Sequence, residues 1–519
     1  MSLKIKRVLL IFTIALLLSS VLTTSFGSVI VAESDSEEQE PRNLSRRVDF
    51  GTFQYGENEL GLHIYSNNPP RWIFYGDGEI LETVETSYVS FNWSEYGDFD
   101  KREFRVEIEE YSDVTKIDWS YNSLVGEIPP ELGKLSNLER LCLRDNELSG
   151  EIPQELGELD DLEYLELREN HLSGEIPPEL GDLSNIERFY LSYNNLSGRI
   201  PSELGDLSTV KSFYLHYNDL KGELPPELGD LSNLEYIDLR SNRLSGEIPP
   251  ELGDLSKLQW FKMCSNRLTG EIPSEFGDLI SLEWFHLSDN EISGDIPAEI
   301  GGLSRLEEIF LNDNQLSGKI PEELGDLKNL EYLDLGSNDL VGVIPSELGQ
   351  LTNLERLDLI SNQLDGMIPW ELSHITSLNS VKLQNNNLEG YEIGTFSTQT
   401  ELANLYDIFD ELNLSDNDLS SRDIDNILLD LLDSLKLEDR VEAEVYLTGN
   451  SIPSSEGREA QKTLEEEGWR VEVDERDEDH DDEEDRPTPI FWLFIGLIGV
   501  TIIVAILIIK FLNLKSFHR

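Results

Sequence analysis

Aromatic and basic side chains recur in this 519-residue sequence in short clusters about 24 residues apart: Tyr164; Arg188 with Tyr190 and Tyr193; Tyr214 with His216 and Tyr217; Tyr236 with Arg240; Trp260 with Lys262; Trp284 with His286; Phe310; Tyr332. Within a cluster they stand mostly two apart, the spacing that sends side chains to one side of a strand. Binding is the chemistry such residues do. A contiguous aromatic strip rimmed by Arg, Asp and Glu has the composition of interface hot spots. The same residues could instead stabilise a sheet by stacking across strands. Arg140, Arg144, Arg168, Arg188 and Arg240 fall in the same band, which makes it less acidic than the rest of the chain. A protein or peptide would use these residues as successive anchors, whereas a glycan would stack its sugar faces on Trp260, Trp284 and the nearby tyrosines. Catalysis is not expected. The seven histidines are scattered and the two cysteines are distant. His216 and His286 stand about three strands apart, roughly 14 Å, too far to share a metal. Neither a cofactor nor a metal site is therefore expected.

The element that must position this band is set by asparagine. Asn122, Asn146, Asn170, Asn194, Asn218, Asn242, Asn266, Asn290, Asn314, Asn338, Asn362 and Asn386 lie 24 residues apart without a slip. A period of that length on L-x-x-L-x-L-x-x-N-x-L predicts an α/β-type solenoid, a leucine-rich repeat superhelix of about 12 regular units. In the unit from Leu138 to Asp161, Leu138, Leu141, Leu143, Leu148, Ile152, Leu156 and Leu159 are expected inside. Successive strands pair in parallel about 4.8 Å apart, giving a continuous concave sheet. The asparagines form a ladder beneath it, because an amide both donates and accepts where turning backbone is otherwise buried unpaired.

The string S-G-E-I-P-P-E-L-G-D-L at Ser173–Leu183 returns at Ser245–Leu255 and, with small changes, in nearly every unit. This L-x-G-x-I-P-x-x-L-G-x-L pattern resembles the plant-type extracellular leucine-rich repeat family over about Val114 to Ile393. The resemblance implies a second short strand around the Ile-Pro pair, a twisted arc, and a protein or peptide ligand. Plant ectodomains usually close their ends with paired cysteines. Here Cys142 and Cys264 lie five units apart, about 24 Å, and are expected to be free thiols. No kinase domain follows the repeats, so the expectation is a receptor-like surface protein.

Regularity stops after Asn386. Leu412–Leu419 restores one strand, helical spacing runs from Arg422 to Leu437, and a strand at Val445–Asn450, a helix near Gly457–Glu467 and a strand at Trp469–Val473 follow. That ending resembles the closing units of bacterial leucine-rich repeat proteins. At the other end, residues 45–112 alternate like strands, and R-W-I-F-Y-G-D-G at Arg71–Gly78 resembles the β-sandwich domains of PKD type found on microbial surface proteins, a looser β-rich cap being the alternative.

Acidic residues number 103 against 40 basic ones, a formal charge of -63, which repels nucleic acid and suits solubility in brine, hence a microbial, halophilic source. Lys4, Lys6 and Arg7 before the apolar run Val8–Leu18 read as a secretory signal over residues 1–32. Residues 113–395 form the regular repeats and 396–473 the irregular units and cap. An acidic stalk at 474–489 leads to an uncharged run at 490–509, long enough to span a bilayer once. The basic tail 510–519 orients it with that tail in the cytoplasm. Sequons at Asn43, Asn92, Asn195 and Asn413 permit glycosylation. The reading is a membrane-anchored cell-surface recognition or adhesion protein; the alternative is an envelope component whose solenoid packs without a separate ligand.

Overall fold

The computed structural model describes the strands between Arg47 and Glu109, and residues 114–391, 411–435 and 443–474. The proposed signal, most of the stalk, the membrane span, the tail, Asn43 and Asn92 lie outside the described residues. Within them, no helix is long and apolar enough to cross a membrane.

Each 24-residue unit contributes a three-residue strand, a second short strand, and a 3-10 turn. In one unit these are Tyr236–Asp238, Arg243–Gly246 and Pro250–Asp254. The first strands pair in parallel and in strict register, so that Tyr236 faces Trp260 and Trp260 faces Trp284. The line of pairings runs from Val114–Asp118 through every regular unit, then through Glu411–Asn413 and Glu444–Tyr446 to Arg470–Glu472. This is the long sheet. Its inward leucines, with the turn leucines, form one core in which Leu165, Phe189, Phe213 and Phe261 are fully buried. A single unit has too little apolar surface to fold alone, so stacking is what stabilises it.

The second strands lie on the residues before the Ile-Pro pair, as in His171–Glu175, rather than around it. Pro177 starts the 3-10 turn instead, because a residue without an N–H suits the position ahead of a helical turn. The glycine of each turn has a steric reason. A Cβ on Gly205 would stand 2.4 Å from the backbone oxygen of Glu227 in the next unit.

The two ends are closed differently. Arg47–Gln54 joins the second sheet through Val125 and Leu60–Ser66 pairs antiparallel with Val114–Asp118, so strands ahead of the repeats extend both sheets. Nothing identifies these strands as a PKD-type sandwich. At the far end, helix α1 (Ser421–Leu435) and helix α2 (Ser455–Glu466) replace the 3-10 turns. Tyr391, on the last of the second strands, donates its hydroxyl to Asp430 of α1 at 2.6 Å and its backbone N–H to the Asp423 carboxylate at 3.3 Å. That edge is thereby covered.

Candidate recognition surface

The asparagine ladder holds the sheet. Asn290 donates to the carbonyls of Met263, Leu287 and Ser288 at 2.9–3.3 Å, and accepts from Leu268 N–H at 3.0 Å. The same set recurs from unit to unit, and it continues past Asn386 into Asn417 and Asn450. The residue before each ladder asparagine takes a left-handed backbone, φ near 55°. Most units place Asp, Ser, Asn or Glu there. Tyr193 and Tyr217 occupy it instead, and so does Tyr121.

On the open face of the long sheet, Tyr164, Tyr190, Tyr214, Tyr236, Trp260, Trp284, Phe310 and Tyr332 do form one band, on strands that pair in sequence. They are half-buried rather than exposed, because the interstrand spacing matches ring-stacking distance. Tyr190 and Tyr214 stack with centroids 4.8 Å apart, and Trp260 and Trp284 at 4.3 Å. Rings stacked along the row turn their faces to one another and their edges to solvent. Among the described aromatics Tyr121 is the most open at 63%, followed by Tyr193 and Tyr217, 45% and 44% exposed and themselves stacked at 4.5 Å. Among the described residues no hydrogen bond holds the hydroxyls of Tyr190, Tyr193, Tyr214 and Tyr217, whereas Tyr236 and Tyr332 donate to Gln259 and Glu355.

Three residues expected on this surface are sunk into it. His216, Lys262 and His286 are buried, since their larger aromatic neighbours close over them. Lys262 Nζ lies 3.9 Å from the Trp284 ring and 4.8 Å from that of Trp260, a cation between two π-faces. Burial lowers its pKa. His286 Nε2 meets Glu308 at 2.8 Å. His216 Nδ1 is 3.3 Å from Asp238, and Arg240 Nε approaches the same carboxylate oxygen at 3.1 Å. Burial pushes Asp238 up to about 6 and His216 down to about 4.

Reasoning from sequence missed the buried acids of the strands. Glu166 holds both the Tyr164 hydroxyl and Arg168 Nε at 2.5 Å, and Asp238 does similar work for Arg240. The signal was present in Y-L-E-L-R and Y-I-D-L-R, where an acid stands between two inward leucines or isoleucine and leucine. Arg188 is exposed, 5.7 Å from the Tyr164 ring. Both cysteines are free; Cys142 is buried, its thiol pushed up to about 11 by burial. Asn195 is exposed, while Asn413 lies half-buried in the long sheet with its oxygen accepting from Ser415. Among the described residues, no three His, Cys, Asp or Glu side chains are grouped to hold a metal.

Family profiles described as leucine rich repeat match residues 256–316 and 280–340, and also 113–135, 137–159, 161–183, 185–207, 233–255 and 353–375. The chain carries leucine-rich repeats. No curated protein matches it. Among solved structures, the repeats are similar to the plant peptide hormone receptor RGFR1 in complex with RGF2, at 34% identity and TM-score 0.57, covering 64% of this chain and 56% of that one. A TDR receptor matches at 30% identity and TM-score 0.59, covering 69% and 60%. The leucine-rich repeat ectodomain of the receptor kinase GASSHO1/SCHENGEN3 from Arabidopsis thaliana, in complex with CASPARIAN STRIP INTEGRITY FACTOR 2, matches at 31% and 0.53, covering 69% and 47%. The chain thus spans between about half and three fifths of these receptor chains.

Proposed function

We propose that this is a cell-surface recognition protein that binds an extracellular protein or peptide along the open face of its long sheet, between Tyr164 and Tyr332. The observation that carries the reading is the unbroken aromatic band over consecutive strands, crowned by Tyr193 and Tyr217 with free hydroxyls. Similarity to a plant peptide hormone receptor solved in complex with RGF2 supports the same class of partner. A glycan is a weaker fit, because sugars need exposed ring faces and the tryptophan faces are turned to each other and to Lys262. The signal over residues 1–32, the single span at 490–509 and a cytoplasmic tail at 510–519 complete the proposal, with glycosylation at Asn195 rather than at the half-buried Asn413.

A second reading, an envelope component in which solenoids pack together, is favoured by one feature. Val341, Val343, Met367 and Trp370 are exposed on or beside the second sheet, away from the aromatic band. Substituting Tyr236, Trp260 and Trp284 together by Ala tests the first reading. Loss of partner capture from a cell-surface extract, with the melting temperature retained, is the expected result; undiminished capture by a folded triple variant rejects it.

A further inference from the structure

Among the described residues Lys262 is the only lysine or arginine that is buried, at 8% exposure. Its Nζ makes no hydrogen bond and no ion pair within them; its contacts are the rings of Trp284 and Trp260. The strand register accounts for this. Asp238 and His286 flank Lys262 directly on the neighbouring strands. Asp238 is taken by Arg240 Nε at 3.1 Å and faces His216 Nδ1 at 3.3 Å. Glu308, on the strand beyond His286, meets His286 Nε2 at 2.8 Å. Both acids are thus engaged away from the ammonium.

Contact with aromatic rings offsets only part of what an ammonium loses on leaving water. Burial and the nearby Arg240 charge hold the Lys262 amine below its ordinary range, and Asp238 and Glu308 pull the other way without restoring it. The group is nevertheless within reach. Arg240 Nε and His216 Nδ1 are closed off from solvent, whereas Lys262 Nζ is not. The Arg240 side chain beside it is 39% exposed, and its terminal nitrogens carry no hydrogen bond among the described residues. Several N–H donors therefore point into one place on the open face with nothing to accept from them.

Resting on the reading above, we infer that Lys262 is the floor of an anion subsite that takes one carboxylate, from an Asp or Glu side chain of the bound protein. Lys262 Nζ donates to the carboxylate, Arg240 adds a second charged donor from the rim, and Trp260 and Trp284 keep water from competing. A phosphate is a poorer occupant, because its second charge would face Asp238 and Glu308. A neutral amide of the same shape leaves the ammonium without an acceptor, so the subsite discriminates by charge.

The test titrates the full chain, in detergent micelles at about 0.15 M salt, with N-acetyl-aspartate amide and with its neutral isostere N-acetyl-asparagine amide, following tryptophan emission. The aspartate compound should give a saturable change, half-complete at roughly millimolar concentration. The response should be at least tenfold weaker for the asparagine compound, and equally so in K262M, which keeps the volume and loses the ammonium. K262M should also melt no lower than the parent, since an uncompensated buried charge is gone. Equal responses to the two compounds, an unchanged response in K262M, or none from the parent up to about 0.1 M overturn the inference. So does a K262M melt well below the parent's, which would show the ammonium compensated within the fold. The recognition reading is judged separately: it stands if Y236A/W260A/W284A loses partner capture and falls if capture persists, whatever the small compounds do.

Discussion

Asn290 shows how much one side chain does here. Replacing it by Leu leaves the Leu268 N–H and the carbonyls of Met263 and Leu287 without their partner in a place water does not reach. Such a loss costs about 2–4 kcal/mol, read as a fall in the urea midpoint. Asp238 and His216 make a second prediction, with opposite signs. The folded pKa of Asp238, about 6, lies above its ordinary 3.8, so the folded chain takes up this proton first as pH falls from 6 toward 4, and acid stabilises. His216 is depressed from 6.5 to about 4, so the unfolded chain takes up that proton first and acid destabilises. Each shift of about two units is worth roughly 2–3 kcal/mol, and in the parent the two nearly offset. Urea midpoints of D238N should therefore fall between pH 6.5 and 4, while those of H216Q rise; parallel profiles would contradict this account. The regular asparagines were legible because their spacing never changes. Asn417 and Asn450 were not, since the helical units lengthen the spacing to 31 and 33 residues.

At the scale of the element, the strand and its following turn carry both scaffold and surface. A left-handed tyrosine is unfavourable by about 1 kcal/mol against asparagine, and stacking of a pair returns a similar amount. Exchanging Tyr193 and Tyr217 together for Asn should therefore move stability by no more than about 1 kcal/mol while binding falls at least tenfold; a large loss of stability with binding intact would make them scaffold. Periodicity revealed which strand positions leave the core, since alternate residues must face outward. It did not reveal depth. Lys262 and His286 sit at outward positions, yet Trp260, Trp284 and Phe310 close over them, a consequence of neighbours 24 residues away in sequence. Helix α1 was legible from its apolar spacing, because Ile424, Ile427, Leu428, Leu431 and Leu432 follow the 3.6-residue period closely.

The whole molecule is a stack of near-identical units, so a charge at one register position becomes a column. Glu155, Glu179, Glu203, Glu227 and Glu251 follow one another in successive 3-10 turns. Like charges in such a column repel, by no more than roughly 1 kcal/mol per pair in water, and added salt screens this. The melting temperature should rise by several degrees between about 0.05 and 2 M NaCl, as read by circular dichroism; no rise would show that the columns are already relaxed. The claim that the long sheet's open face is the working surface is tested most directly by comparing two variants for partner capture from a surface extract. One carries Y236A, W260A and W284A; the other carries V341S, V343S and W370S on the opposite flank. Recognition by the aromatic band predicts that the first loses capture and the second keeps it, both melting within a few degrees of the parent. The reverse pattern would contradict it and place the contact on the second sheet.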